Sequence, residues 1–247
     1  MYPRQFFDTY WRGDLKREVF VAMPFNREFD KVWSEAIRPA IDCDLDVGNS
    51  RFVAHRVDTS AISDSIHREI LDGIAHATLV FVDISVMRTG AWKGQWNGNV
   101  MFELGIAQTV RPASDLVVVK SDSELISFDI NHIRVHQYNQ ADLSEARRKF
   151  AQLLSDALKQ REQEKSLRTQ RLRERLDVDS MNLMVKVCPD GKNFVKFSMN
   201  GYSAEERRIA IRLLDLGIFR CVCTGRRQYH YEWTDFGKYC YLHPQSD

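Results

Sequence analysis

The stretch Thr78-Leu79-Val80-Phe81-Val82-Asp83-Ile84 is apolar except at Thr78 and Asp83. It is rich in β-branched and aromatic residues and too short for a helix, so it reads as a strand buried on both faces, the pattern of a central strand in a parallel sheet. The flanking sequence supports that reading. Upstream, Val19–Met23 reads as a first strand. In Arg27–Asp42, Phe29, Val32, Trp33, Ala36, Ile37 and Ala40 recur at helical spacing. Pro39 belongs to the last turn of that helix, because proline offers no N–H to an interior turn. Arg51–Val57 follows the loop Gly48-Asn49-Ser50 as a second strand, and Ile62–His76 places Ile66, Ile70 and Ile74 on one helical stripe.

Downstream lies an irregular stretch, Ser85–Gly98, with three glycines and two tryptophans. A helix over Asn99–Val110, strands at Leu116–Lys120 and Ile133–Tyr138, and a helix from Ser144 carrying Ala146, Phe150, Leu153, Leu154 and Leu158 complete the series. Strands alternating with helices predict an α/β fold, here a flavodoxin-like five-stranded parallel sheet of order 2-1-3-4-5. In such sheets ligands bind at the carboxyl edge, so the strand-end loops are where function is sought.

The run Lys159–Asp177 is almost wholly charged and reads as a solvated helical connector. It divides the chain into an α/β domain over 1–158, a linker over 159–180 and a small α+β domain over 181–247. In the last of these, Ser203 and Glu206 form an S-x-x-E capping box opening a helix with Ile209, Leu213 and Leu214, which Gly217 stops. Strand-like runs Ile218–Cys223 and Gln228–Thr234 are joined by Thr224-Gly225-Arg226-Arg227. Helix followed by hairpin is a winged-helix pattern, with Arg207, Arg208, Arg226 and Arg227 available to DNA phosphates; winged helices also serve protein contacts. Met184–Phe197, turning at Pro189-Asp190-Gly191, reads as a further hairpin.

Composition narrows the class. Of 247 residues, 44% are hydrophobic and 28% charged, which suits a chain that folds around its own core. The apolar runs, such as Ala77–Val82 and Leu116–Val119, are far short of the roughly eighteen residues a membrane span needs. The N-terminal residues lack the apolar core and cleavage site of a signal peptide, and five cysteines make an odd set, so a cytoplasmic protein without a disulfide framework is expected. Up to Ser166 the chain has net charge −3, and beyond it +4, a mild asymmetry. Cys221, Cys223, Cys240 and His243 lack the usual zinc-knuckle spacing, so no metal is expected. Neither G-x-G-x-x-G nor a Walker sequence occurs, which argues against hydride transfer on a dinucleotide fold and against P-loop phosphoryl transfer.

Three strand-end segments converge on the expected rim: Met23-Pro24-Phe25, Asp83-Ile84-Ser85 and Asn97–Gly105. Glu103, a turn into its helix near the positive end of the macrodipole, is placed to act as an anion; equally, it can satisfy free N–H groups there. Asp83 can hold ribose hydroxyls or orient Glu103, or cap the following loop. Arg56 and Asp58 line the same rim, with Arg56 a phosphate ligand or a surface ion-pair partner. Trp92 and Trp96 offer stacking faces on a mobile lid, and Phe25 a base or ribose contact.

The order V-F-V-A-M-P-F (19–25), S-I-x-x-E-I-x-x-G-I-x-x-A (65–77), V-F-V-D-I-S (80–85), N-V-M-F-E-L-G-I-A (99–107) and F-D-I-x-x-x-R-V-x-x-Y (128–138) resembles the TIR-like nucleotide-binding family. That family is related to bacterial TIR domains and to nucleoside 2-deoxyribosyltransferases. The resemblance covers Val19 to Tyr138 and implies cleavage or transfer at the N-glycosidic bond of a nucleotide. Glu103 matches the family's catalytic glutamate, and Asp83 is the second catalytic candidate. NAD or a related nucleotide is then the substrate, with no separate cofactor, and antiviral defence is a role that many TIR enzymes serve. Met23, Pro24, Phe25, Arg56, Asp58, Ser85, Trp96 and Asn99 are the expected substrate contacts. Asp129 also matches a recurrent family position, although turn formation explains it better. The Ser85–Gly98 connection is longer than the simplest family pattern. The alternatives are a deoxyribosyltransferase-like enzyme, or a nucleotide sensor that reports through the C-terminal domain to DNA or protein. Self-association is expected of the enzymatic reading.

Overall fold

The computed structural model describes residues 15–47, 50–57, 63–124, 133–223 and 229–243. Two compact units emerge, Asp14–Glu162 and, among the described residues, the chain from Gln163 onward. The boundary falls inside a single helix.

In the first unit, β1 (Lys16–Ala22) leads through a 3₁₀ turn at Arg27–Phe29 into α1, which runs as a π-helix over Val32–Ile37 and as an α-helix over Arg38–Asp42. Pro39 explains the change of pitch. It cannot donate a backbone hydrogen bond and its ring crowds the carbonyl four residues back, so the preceding turn widens and Arg38 N–H reaches Trp33 O instead. Two short strands, β2 (Asp46–Val47) and β3 (Ser50–Arg51), pair antiparallel before β4 (Val53–His55). Then come α2 (Ser63–His76), β5 (Ala77–Asp83), α3 (Gly98–Val110), β6 (Leu116–Lys120), β7 (Val135–Gln137) and α4 (Leu143–Arg173).

The main sheet is all parallel in the order β4-β1-β5-β6-β7, the 2-1-3-4-5 arrangement expected of a flavodoxin-like fold. β5 is its middle strand and is buried along nearly its whole length. One face packs Val19, Val21, Leu79 and Phe81 against α1 and the apolar stripe of α4. The other packs Phe20, Ala22, Val80 and Val82 against Ile74 of α2 and Val100, Leu104 and Ala107 of α3. Because neighbouring side chains alternate between faces, an uninterrupted apolar strand feeds both cores at once.

At the edge of the sheet where the strands begin, Asp115 accepts from Arg161 Nη1 at 2.6 and 2.5 Å and pairs with Arg111 Nη2 at 2.7 Å, all three side chains buried. Arg111 also donates to the carbonyls of Ala75 and Thr78. The charged run after Lys159 is therefore not a wholly solvated face: α4 continues through it to Arg173, with Arg161 and Leu172 buried.

In the second unit, α5 (Val178–Val187) and α6 (Ala204–Asp215) precede a hairpin, β8 (Phe219–Cys223) with β9 (Tyr229–Trp233), and a final helix, α7 (Asp235–Leu242). The Ser203–Glu206 capping box is formed in both directions, at 2.7 and 3.1 Å, and Gly217 has φ 80° after the helix. The hairpin expected over Met184–Phe197 is not found. Met184 lies in α5, which Asp177 caps through Ser180 N–H at 2.8 Å, and helical packing of Leu183 and Met184 into the core outweighs strand propensity there. Asp190 instead folds back the chain by accepting from the N–H groups of Lys192 and Asn193, and Phe197 forms a single antiparallel bridge to Tyr231. The basic turn residues Arg226 and Arg227 lie outside the described residues. No helix among the described residues is long and apolar enough to cross a membrane.

Candidate active site

The parallel register brings Met23, Arg56, Asp83, Ser121 and Tyr138 to the carboxyl edge of the sheet, since Ala22 is level with Val82, Asp83 with Val119, and Lys120 with Gln137. Two side-chain clusters form there. In the first, the Arg56 guanidinium lies 4.8 Å from the Phe25 ring centroid and 4.5 Å from that of Trp33, with Nη1 3.8 Å from Met23 Sδ. Both rings attract the guanidinium by cation–π contact. Met23 and Pro24 are buried, whereas Phe25 is 44% exposed and presents a ring at the rim.

The second cluster surrounds Asp83, which is fully buried. Its Oδ1 accepts from Ser85 N–H at 3.0 Å and Ser85 Oγ–H at 2.6 Å, and its Oδ2 accepts from Tyr138 O–H at 2.7 Å. Ser85 Oγ accepts in turn from Ser121 N–H at 2.8 Å. Burial raises the Asp83 carboxyl above its usual range, and the bonds from Ser85 and Tyr138 oppose that shift. Asp83 therefore ties together the ends of three strands, and in this arrangement both its oxygens face protein donors, as does the Ser85 hydroxyl.

Glu103 stands apart from both clusters. Asn97 caps α3 by accepting from the N–H groups of Asn99 and Val100, at 3.0 and 3.3 Å. Glu103 then falls on the second turn, on the sheet-facing stripe with Val100, Leu104 and Ala107. It is only 8% exposed, and among the described residues no hydrogen bond or ion pair reaches its carboxylate. Burial pushes its pKa from 4.5 up to about 7. The expectation that the helix macrodipole keeps this group ionised is thus corrected: the dipole fades beyond the first turn, and desolvation dominates.

The Ser85–Gly98 connection is knitted to itself and to its neighbours. Met87 N–H donates to Gln95 O at 3.0 Å and Gly94 N–H to Met87 O at 2.7 Å, with Gly90 and Gly94 at positive φ. Glu28 accepts from Arg88 N–H at 3.2 and 3.1 Å, and Arg88 Nη2 reaches Ser121 O at 3.2 Å. Trp92 is 62% exposed, Trp96 half-buried and Asn99 exposed. Asp58 and Asp129 lie outside the described residues.

Sequence reasoning missed Trp33, Tyr138, Glu28 and Ser121. The signal for Tyr138 was its place at the end of an edge strand, level with the aspartate-bearing strand end. Two surface hollows lie elsewhere. One, of about 610 Å³, is lined by Asp44, Ser144, Arg147 and Arg148, and an Arg147–Asp44 fork spans it with both bonds at 2.6 Å. The other, of about 330 Å³, lies between α5 and α6, where Lys186 pairs with Glu206 at 2.5 Å. Neither contains a predicted site residue. Compared with known proteins, the chain matches no protein-family model and no curated sequence.

Proposed function

We propose that the first unit binds a nucleotide along the carboxyl edge of the sheet and hydrolyses its N-glycosidic bond, with NAD as substrate. The observation that carries this reading is Glu103: a carboxylate buried, among the described residues without a cationic partner, on the second turn of the helix that follows the central strand. Such a group is costly for folding and gains a partner when positive charge arrives. In NAD cleavage the C1′–nitrogen bond breaks, its electron pair passes to the nicotinamide ring nitrogen, and positive charge builds on the ribosyl carbon. Glu103 stabilises that charge; water then adds to C1′ and gives up a proton. Arg56, in cation–π contact with Phe25 and Trp33, engages the diphosphate. Phe25 and Trp96 contact the base and ribose, Met23, Pro24, Ser85 and Asn99 line the rim, and Asp83 acts by holding the strand ends together. Asp58 is assigned to the same rim from its place in the sequence, directly after the second strand run. This is the activity that resemblance to the TIR-like family implies, together with a cytoplasmic setting, self-association and a part in antiviral defence.

The test is nicotinamide release from NAD by the purified chain. Glu103→Gln should lower turnover by about 10²–10³-fold, the scale of one lost electrostatic stabiliser. Equal turnover in both proteins removes Glu103 from the chemistry. Release of a nucleobase from deoxynucleosides but not from NAD indicates the transferase alternative, and tight binding of uncleaved nucleotide indicates a sensor.

For the second unit we propose a winged helix. Its support is the bridge from Phe197 to β9, which adds a third extended segment beside the β8–β9 hairpin, with α6 directly before it. Arg207 and Arg208 are exposed on α6, suited to phosphates or to an acidic protein partner. A salt-dependent shift of duplex DNA, lost in Arg207→Ala/Arg208→Ala, selects DNA; its absence selects protein.

A further inference from the structure

The β1–α1 turn and the β5–α3 connection leave neighbouring strands for opposite faces of the sheet, since α1 packs with Val21 and Phe81 whereas α3 packs with Phe20 and Val82. Loops that part in this way leave a crevice at the carboxyl edge, the position where open α/β sheets take their ligands. Glu28 bridges it. Its carboxylate, carried by the β1–α1 turn, accepts from the Arg88 N–H on the far side at 3.2 and 3.1 Å, and its Oε1 also accepts from Asn26 Nδ2 at 3.1 Å.

Two features set this contact apart from an ordinary tie. Among the described residues no cation pairs with the Glu28 carboxylate; its donors are a backbone N–H and a side-chain amide, neutral groups of the kind that hold bound anions. The Arg88 guanidinium turns away from it and ends on neutral acceptors, Ser121 O at 3.2 Å and Ser121 Oγ at 3.4 Å. A carboxylate and a guanidinium thus meet at one residue without pairing, and the positive charge stays available to another anion.

The surroundings let the carboxylate leave alone. Gln140 Nε2 fixes the Glu28 backbone by donating to its carbonyl at 2.8 Å, and the adjacent Phe29 is buried. The Arg88 N–H is framed independently: Val86 N–H donates to Asp122 Oδ2 at 2.9 Å, while Met87 donates to Gln95 O at 3.0 Å and accepts from Gly94 N–H at 2.7 Å. Turning one half-buried side chain to solvent frees the donors and leaves their frame standing.

We propose that Glu28 is an internal stand-in for a phosphate of the nucleotide: its carboxylate occupies the anion position formed by the Arg88 N–H, the Asn26 amide and the Arg88 guanidinium, and the nucleotide enters by displacing it. A phosphate gains there the positive charge that the carboxylate does not use. The competition lowers the apparent affinity by the fraction of molecules in which Glu28 has moved aside. This rests on the reading of the rim as a nucleotide site, and not on the cleavage step.

Calorimetric titration of the full chain with ADP, which carries a diphosphate but no nicotinamide bond, and with adenosine, which carries no phosphate, tests it. Glu28→Gln and Glu28→Ala should each bind ADP about tenfold more tightly than the wild type, the scale of one charge-assisted hydrogen bond, and leave adenosine unchanged. Arg88→Met keeps the backbone N–H and should weaken ADP by a similar factor, again without effect on adenosine. A residue that only supports the loop shows the opposite sign, because its loss loosens the site and weakens every ligand. ADP bound no more tightly by either Glu28 variant, an equal gain for adenosine, or ADP bound by none of the proteins overturns the proposal. Nicotinamide release from NAD is scored separately: its absence alongside tighter ADP binding removes only the cleavage reading, and cleavage alongside unchanged ADP binding removes only this one.

Discussion

Glu103 is buried without a cation among the described residues, and that is costly only while it is ionised. With its pKa raised from 4.5 to about 7, the folded protein holds the proton more tightly than the unfolded chain does. The corresponding stability is fully present below pH 4.5 and is lost as pH rises toward 7, by about 3 kcal/mol across the window. Glu103→Gln carries no such charge. Urea unfolding at pH 5 and pH 8 should therefore show the variant gaining on the wild type by up to about 3 kcal/mol at the higher pH. A gap that does not change with pH contradicts the burial argument. The same group shapes catalysis: if the anion is the working form, kcat/KM for NAD rises with pH through about 7, whereas a general acid makes it fall. Tyr138 offers a second test. Tyr138→Phe removes the donor to Asp83 Oδ2 and leaves a buried oxygen unsatisfied, which should cost about 1–3 kcal/mol in the same unfolding assay. At this scale sequence reading placed Glu103 on its helix but not its ionisation, since burial depends on what lies opposite. It could not see Trp33 stacking on Arg56, because a tryptophan on an apolar helical stripe reads as core whether or not a cation lies on it.

Between elements, α2 crosses β1 at close range. A Cβ at Gly73 would lie 2.5 Å from Phe20 Cδ2 and 2.8 Å from Cε2, with His55 Cε1 at 3.4 Å. Phe20 is buried between sheet and helices and cannot swing away, so Gly73→Ala should destabilise the chain by about 1–3 kcal/mol, against the gain that alanine usually brings to a helix. Unchanged or raised stability on thermal unfolding shows that α2 can shift. The elements of the first unit were legible because β1, β5 and β6 contain short buried apolar runs and α2 carries an apolar stripe, and strands alternating with helices point to a parallel sheet. Two features were not. The π turn before Pro39 preserves the apolar spacing closely enough to look like an ordinary helix. In Met184–Phe197 a turn signal at Pro189-Asp190-Gly191 suggested a hairpin, yet the residues before it complete α5, whose cap at Asp177 lies upstream of the segment that drew attention.

On the scale of the whole molecule, each unit has its own core. The sheet is sandwiched by α1 and α4 on one side and by α2 and α3 on the other, while Leu183, Met184, Leu213, Phe219 and Trp233 fill the second unit. A domain with its own core folds alone if the cut spares its internal ties. Charge pattern put the end of the first domain at residue 158, but Arg161, three residues on, makes the two short bonds to Asp115 that help neutralise that buried carboxylate. Charge patterning cannot distinguish an arginine that faces water from one that turns inward, because the partner lies 46 residues away. Chains ending at 162 and at 158 should therefore differ. The longer should unfold cooperatively and keep any NAD cleavage. The shorter leaves Asp115 with Arg111 alone and should lose about 1–3 kcal/mol, a deficit that Arg161→Met reproduces in the longer chain. Equal stability of the two truncations means that water or a neighbouring side chain replaces Arg161 at no cost, and the inner boundary then belongs where the charge pattern put it.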